Sequence, residues 1–194
     1  MDILIKLDFF SEFGDIDYLL DCNNLFNKYY GKKQIRKEKA FEDKLDFDIV
    51  RMYIQKETPK TFTGLNSVGL INHLTNYIPN TKTSLKTRIR YQIENLGYID
   101  IVDKKYKGYC VVTDLNVDYS PKLKLYALAN GNTIPVKIDK KTFKTCPLSR
   151  GDIIKVTDQI KKPKSKKVDG KWIKDENDKE WWLLEYKRVG GDII

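Results

Sequence analysis

Carboxylates, histidine and glycines at catalytic spacing are scarce in this chain, whereas lysines interleaved with aromatics are not. Asp46-Phe47-Asp48 has the spacing of a two-metal site, in which carboxylates two apart on a strand share a face and chelate magnesium. The residues that follow have a helical rhythm, with Phe47, Val50 and Ile54 on one side until Thr58-Pro59. Carboxylates two apart on a helix diverge, so Asp46 is expected as an N-cap. Asp15, Asp17 and Asp21 lack the glycine and the final glutamate of a calcium loop. The sole histidine, His73, has no cysteine or second histidine nearby to complete a metal site. Gly64 and Gly69 precede or open a helix where backbone N–H groups meet phosphate in other proteins, but their spacing fits a plain loop and helix start better. There is no Gly-x-Ser-x-Gly elbow and no Walker loop. No catalytic residue, metal or cofactor is expected.

Binding has better support. Lysines along a groove neutralise phosphates and release counterions, and aromatic rings give bases a surface to stack on at about 1–3 kcal/mol each, whatever the sequence. The candidate nucleic-acid-binding residues are Tyr119, Lys122, Lys124, Tyr126 and Lys137, followed by Lys161, Lys162, Lys164, Lys166, Lys167, Lys171 and Trp172 in one lysine-rich stretch. Tyr126 serves either stacking or packing at the rim of a core. Of the adjacent Trp181 and Trp182, one is expected inside. A further basic cluster, Lys32, Lys33, Arg36, Lys37 and Lys39, reads as a solvated linker, with phosphate contact as the alternative.

The overall balance agrees. Among 194 residues, 36 are basic and 27 acidic, giving a net charge of +9 and favouring a polyanionic partner, most simply nucleic acid. Hydrophobic residues make up 41% and charged residues 32%, an ordinary globular composition that excludes disordered and fibrous classes. No run approaches the ~20 apolar residues that span a bilayer, and the acidic start MDILIKLDFF is unlike a signal peptide. Cys22, Cys110 and Cys146 are far apart and odd in number, which fits reduced thiols. The expected location is cytoplasmic.

The elements that would position the candidate residues lie mostly in the last third. Gly108–Val117 reads as a strand and Asp118–Pro121 as a turn. Along Lys122–Ala129, Leu123, Leu125 and Ala127 alternate with Lys122, Lys124 and Tyr126, so one face is buried and the other wet. Asn130-Gly131 marks a hairpin into Thr133–Ile138. Lys140–Cys146 breaks the alternation as a short helix with Phe143 as a plug, and Pro147 ends it. Ile153–Ile160 and Glu180–Arg188 supply two more strands, with residues 161–179 as an unpatterned basic loop. Five strands with a helix after the third is the order of an OB-fold barrel, whose second and third strands and flanking loops grip oligonucleotides. Before it, helices are expected over Ile3–Phe13, from Asp15 or Asp17 to Gly31 with Ile16, Leu19, Leu20, Phe26 and Tyr30 near one face, from Asp46, over Ser67–Tyr77, and from Thr83 or Ser84 to Gly97. The fold class is α+β, with a helical region at 1–103 and an OB-fold domain at 104–194.

The run Leu4-Ile5-Lys6-Leu7-Asp8-Phe9-Phe10-Ser11-Glu12-Phe13-Gly14, then Tyr18-Leu19-Leu20, resembles the LIK-x-GAFD-x-x-G…LL segment of the alpha subunit of bacterial replicative DNA polymerase III, family C. Ile93-Glu94-Asn95-Leu96-Gly97-Tyr98 resembles that family's E-x-E-x-LG-x-Y helix, and an OB-fold follows in both. Where the family often continues Ser-Gly-His-Pro, this chain has Ile99-Asp100-Ile101-Val102, a departure that removes any role tied to that loop. The resemblance implies the C-terminal region of a divergent phage or mobile-element relative, whose polymerising carboxylates and PHP domain lie upstream of the matched segment. It also implies single-stranded DNA as ligand, with replisome proteins or a separate polymerase catalytic chain as partners. A replisome docking module is the second reading, and a free-standing RNA-binding OB protein the third.

Overall fold

The structure is a computed structural model that describes residues 1–118, 120–168 and 171–190. Contacts divide the chain into two compact units, Met1–Thr83 and Ser84–Ile194.

The first unit carries helices α1 (Asp2–Lys6), α2 (Ile16–Tyr29), α3 (Lys37–Glu42), α4 (Phe47–Arg51) and α5 (Ser67–Thr75). It is not purely helical as expected. Strands β1 (Gln34–Arg36), β2 (Lys56–Glu57) and β3 (Thr61–Thr63) form a small antiparallel sheet in the order β1-β3-β2. Phe62 on the central strand is fully buried and meets Phe47 edge to face at 5.1 Å. Tyr29, Ile35, Ala40, Val50, Leu65, Leu70 and Ile71 complete this core. The helix expected over Ile3–Phe13 stops after Lys6, where Asp8 turns left-handed at φ 68°. A short polar side chain tolerates that conformation better than most. Asp15 and Asp46 cap α2 and α4, their carboxylates accepting from the N–H groups of Ile16 and Asp48. Phe26 and Tyr30, expected on the inner face of α2, instead stack on each other at the surface, 4.2 Å between ring centroids.

In the second unit, α6 (Leu85–Leu96) is capped by Ser84, whose hydroxyl accepts from Thr87 N–H, and it ends at Gly97 in the left-handed region at φ 78°. Strands β4 (Tyr109–Asn116), β5 (Lys122–Ala127), β6 (Thr133–Ile138), β7 (Ile153–Val168) and β8 (Lys171–Arg188) follow, with α7 (Lys140–Thr145) after the third. The strands close into a barrel in the order β4-β5-β6-β8-β7. Four pairings are antiparallel, and β6 runs parallel to β8 through Val136↔Trp181 and Ile138↔Leu183. Val112, Leu123, Leu125, Val136, Ile138, Ile154 and Leu183 fill the interior, with Phe143 of α7 packed against them. The Tyr186 hydroxyl donates to the Cys146 carbonyl and ties the end of α7 to β8.

Two expectations about this unit are corrected. The boundary falls at residues 83 and 84 rather than 103 and 104, because α6 belongs with the barrel. Val111, Tyr126 and Ile153 are cross-strand neighbours on the outer face, and they pack with Leu85, Ile89, Ile99 and Tyr106. One end of the sheet is therefore buried on both sides. Residues 161–168 and 171–179 of the basic stretch are also strand rather than the unpatterned loop expected. β7 and β8 continue past the barrel as a two-stranded arm, paired from Lys161↔Trp181 to Val168↔Lys171, with a bulge that skips residues 176–178 beside Pro163 and Lys164.

Candidate nucleic-acid interface

Strand alternation places Lys122 and Lys124 on the outer face of β5, and the antiparallel register brings Lys137 of β6 directly opposite Lys122. The base of the arm closes the third side. Together they form a groove of about 630 Å³ lined by Asp114, Asn116, Lys122, Lys124, Pro135, Lys137, Lys164, Lys179, Glu180 and Trp181, among others. Five lysines stand there against two carboxylates. Trp181 packs on the barrel core from within the same groove, as expected of one member of the tryptophan pair.

Three of these lysines are partnered. Lys124 Nζ lies 3.1 Å from Asp114, and this ammonium holds the exposed carboxyl below its ordinary pKa. Lys137 Nζ lies 2.7 Å from Glu180 Oε1, which also accepts from Trp182 Nε1 at 3.3 Å. Lys164 bonds Asp178 at 2.9 Å, and that carboxylate raises the lysine's pKa. Lys122 and Lys179 make no ion pair with a described residue. Their charges are the ones most directly offered to an incoming anion.

The remaining candidates divide by position. Lys161 lies 4.9 Å from the Trp181 ring centroid and Lys162 4.7 Å from that of Trp182, at the base of the arm. Lys167 pairs with Trp172 and Val168 with Lys171, about 17–23 Å further along at ~3.3 Å per residue. Trp172 is 73% exposed, so its ring is open to solvent. Tyr119 lies outside the described residues, as does the side chain of Lys166.

Tyr126 is a correction. It is buried, its hydroxyl donates to the Ile101 carbonyl at 3.4 Å, and its ring packs beneath α6, so it offers no surface for a base. Burial, with the negative charge of Asp100 nearby, raises its pKa. The residues missed by sequence reasoning are Asp114, Asn116, Lys179, Glu180 and Trp181 of the groove. Only Lys179 carried a signal, as the last lysine of the basic stretch.

The motifs weighed for catalysis are engaged otherwise. Asp46 Oδ1 accepts from Asp48 N–H at 2.8 Å, and the Asp48 carboxylate accepts from Arg51 Nη1 at 2.6 Å. His73 Nδ1 shares a 2.9 Å hydrogen bond with the Tyr53 hydroxyl. Among the described residues, no group of three His, Cys, Asp or Glu side chains is placed to hold a metal ion. No helix among them is long and apolar enough to cross a membrane. Gly69 makes room for packing, since a Cβ there would lie 2.8 Å from the Tyr53 ring.

Comparison with protein-family models, curated proteins and solved structures finds no match to this chain. The groove presents five lysines and an indole on a barrel sheet, an arrangement suited to an extended polyanion.

Proposed function

We propose that the barrel is an OB-fold and that the chain binds single-stranded DNA as the non-catalytic C-terminal part of a polymerase III alpha-like protein. The observation that carries this reading is the groove itself. Lys122, Lys124, Lys137, Lys164 and Lys179 converge on the second and third barrel strands and the base of the arm, where OB-folds take oligonucleotides. The strand order β4-β5-β6-β8-β7 supports it. The lysines follow the backbone, and Trp181, with Trp172 on the arm, supplies the flat surfaces for bases. Sequence preference is low, because phosphate contacts position a strand without reading it. Fluorescence anisotropy with labelled single-stranded and duplex oligomers at two salt concentrations tests the proposal. Preference for the single strand, weakening with salt, is expected, and equal or negligible binding of both refutes it.

A second reading, docking to a replisome protein, has one observation in its favour. The first unit exposes Ile3, Phe9, Phe13 and the stacked Phe26 and Tyr30. A partner covering these residues would protect them from hydrogen exchange and labelling without involving the barrel groove.

A further inference from the structure

A second groove lies on the same unit, between α6 and the loop that leads into β7. It measures about 800 Å³, and its rim carries Lys86, Arg90 and Arg150. Its two carboxylates are already engaged. Asp152 accepts from Arg188 Nη2 at 2.9 Å and from Ser149 N–H at 2.7 Å, while Glu94 lies 3.8 Å from Arg90 Nε. Counting Arg188, four cations oppose two anions. Lys86 and Arg90 are one turn apart on α6, and both are exposed.

The two grooves adjoin through β4. Gly151 N–H donates to the Val112 carbonyl at 2.8 Å, and Val112 N–H donates to the Asp152 carbonyl at 2.9 Å. The loop bearing Arg150 is thus fastened to β4 two residues from Asp114, which lines the first groove. Lys124 dominates the charge felt by the Asp114 carboxyl, and Arg150 adds only a minor pull on it, so the two grooves lie close while each keeps its own cations.

We propose that this second groove continues the nucleic-acid track and holds the phosphates of a single strand after it leaves the barrel groove. The inference rests on the single-strand reading above. Among the described residues no aromatic ring lines the second groove, so it takes the backbone and not the bases. The segment bound there is recognised by charge and spacing alone.

Affinity measured against oligothymidine length on the full chain tests this. OB-folds cover about 4–16 nucleotides, so oligomers of about 8 and about 16 nucleotides separate the two grooves. The triple variant Lys86→Gln, Arg90→Gln, Arg150→Gln is expected to bind the short oligomer as the parent does. It loses on the order of 100-fold on the long one at about 0.1 M salt, and its salt slope becomes shallower by about 2, from ~0.7 per phosphate on a single strand. Abasic nucleotides in the added half keep the parent's gain in affinity. Circular dichroism and the melting temperature of the triple variant verify its fold, and the single variant Arg150→Gln, with a loss of about fivefold, repeats the test with less perturbation. Equal loss at both lengths, no loss at the longer one, or a gain that vanishes with abasic nucleotides overturns the extension. If the parent binds neither oligomer, the barrel-groove reading has failed as well, and the length comparison tells these outcomes apart.

Discussion

Neutralising Lys122 and Lys179 together is the cleanest perturbation of the barrel groove. Both line it, and neither makes an ion pair with a described residue, so Lys122→Gln/Lys179→Gln strands no described carboxylate. The same change at Lys124, Lys137 or Lys164 would leave Asp114, Glu180 or Asp178 unopposed and repelling the ligand. Each single-strand phosphate contact contributes ~0.7 to the slope of log affinity against log salt. Losing two makes the slope shallower by about 1.4. At about 0.1 M salt, affinity falls about 25-fold, or about 1.9 kcal/mol. Anisotropy titration of a labelled oligothymidine at four or five salt concentrations (roughly 0.05–0.3 M, where the relation is linear) measures both quantities. Because both side chains are exposed, the melting temperature stays put. An unchanged slope with a stable fold would show that the two lysines do not meet phosphate, and the groove would lose its role.

Five other outcomes are expected. Glu180→Gln releases Lys137 from its 2.7 Å partner and tightens single-strand binding by about fivefold, the value of one further contact in the same titration. Tyr126→Ala empties a position beneath α6 and costs about 3–5 kcal/mol in urea unfolding, while the folded fraction still binds DNA, as expected for a packing residue. Tyr29→Phe removes a 2.6 Å hydrogen bond to the buried Asp43 carboxylate and destabilises the first unit by about 1.5 kcal/mol, a low figure because Lys28 and Lys39 still hold Asp43. Burial opposes the Asp43 charge, but Lys28, the Tyr29 hydroxyl and Lys39 outweigh it and keep the pKa below the ordinary value; the stability so gained is present above about pH 4 and fades as pH falls through the lowered pKa, which acid unfolding of the parent and Asp43→Asn will reveal. Burial pushes the Cys110 thiol up to about 11, so it resists iodoacetamide at pH 8 until the protein unfolds, as mass spectrometry of timed quenches will show.

The barrel was legible wherever one side of a strand met the core and the other met water. Leu123 and Leu125 against Lys122 and Lys124 are such a case, and the register that sets Lys122 opposite Lys137 follows from the short hairpin at Asn130-Gly131. The same rule misplaced Tyr126. Alternation assigns it to the wet face, but that face is roofed by α6 at one end, and a two-letter pattern cannot register a second covering layer. The arm escaped notice for the opposite reason. Beyond the barrel both of its sides meet solvent, so lysines stand on each and the period of two leaves no hydrophobic trace. In the first unit, strands of two or three residues are too short to show any period, and Phe26 and Tyr30 looked like core residues because helical spacing does not say how far round the core extends. Caps were readable from single residues, since Asp15, Asp46 and Ser84 act on N–H groups one to three positions away.

The arm also bears on how copies of this protein behave toward one another. Past residues 155 and 181, neither outer edge of β7 or β8 pairs with another described strand, which leaves two rows of backbone donors and acceptors on offer. Such a ribbon is a ready template for adding a strand from a neighbouring molecule. Pro163 has no N–H to donate, the bulge at residues 176–178 interrupts the regular register of the other strand, and lysines repeat along both strands. Along residues 161–168 the β7 edge carries five lysines and no carboxylate, so two copies meeting by that edge repel before they can pair, and the charge that would draw the arm to a polyanion also opposes this pairing.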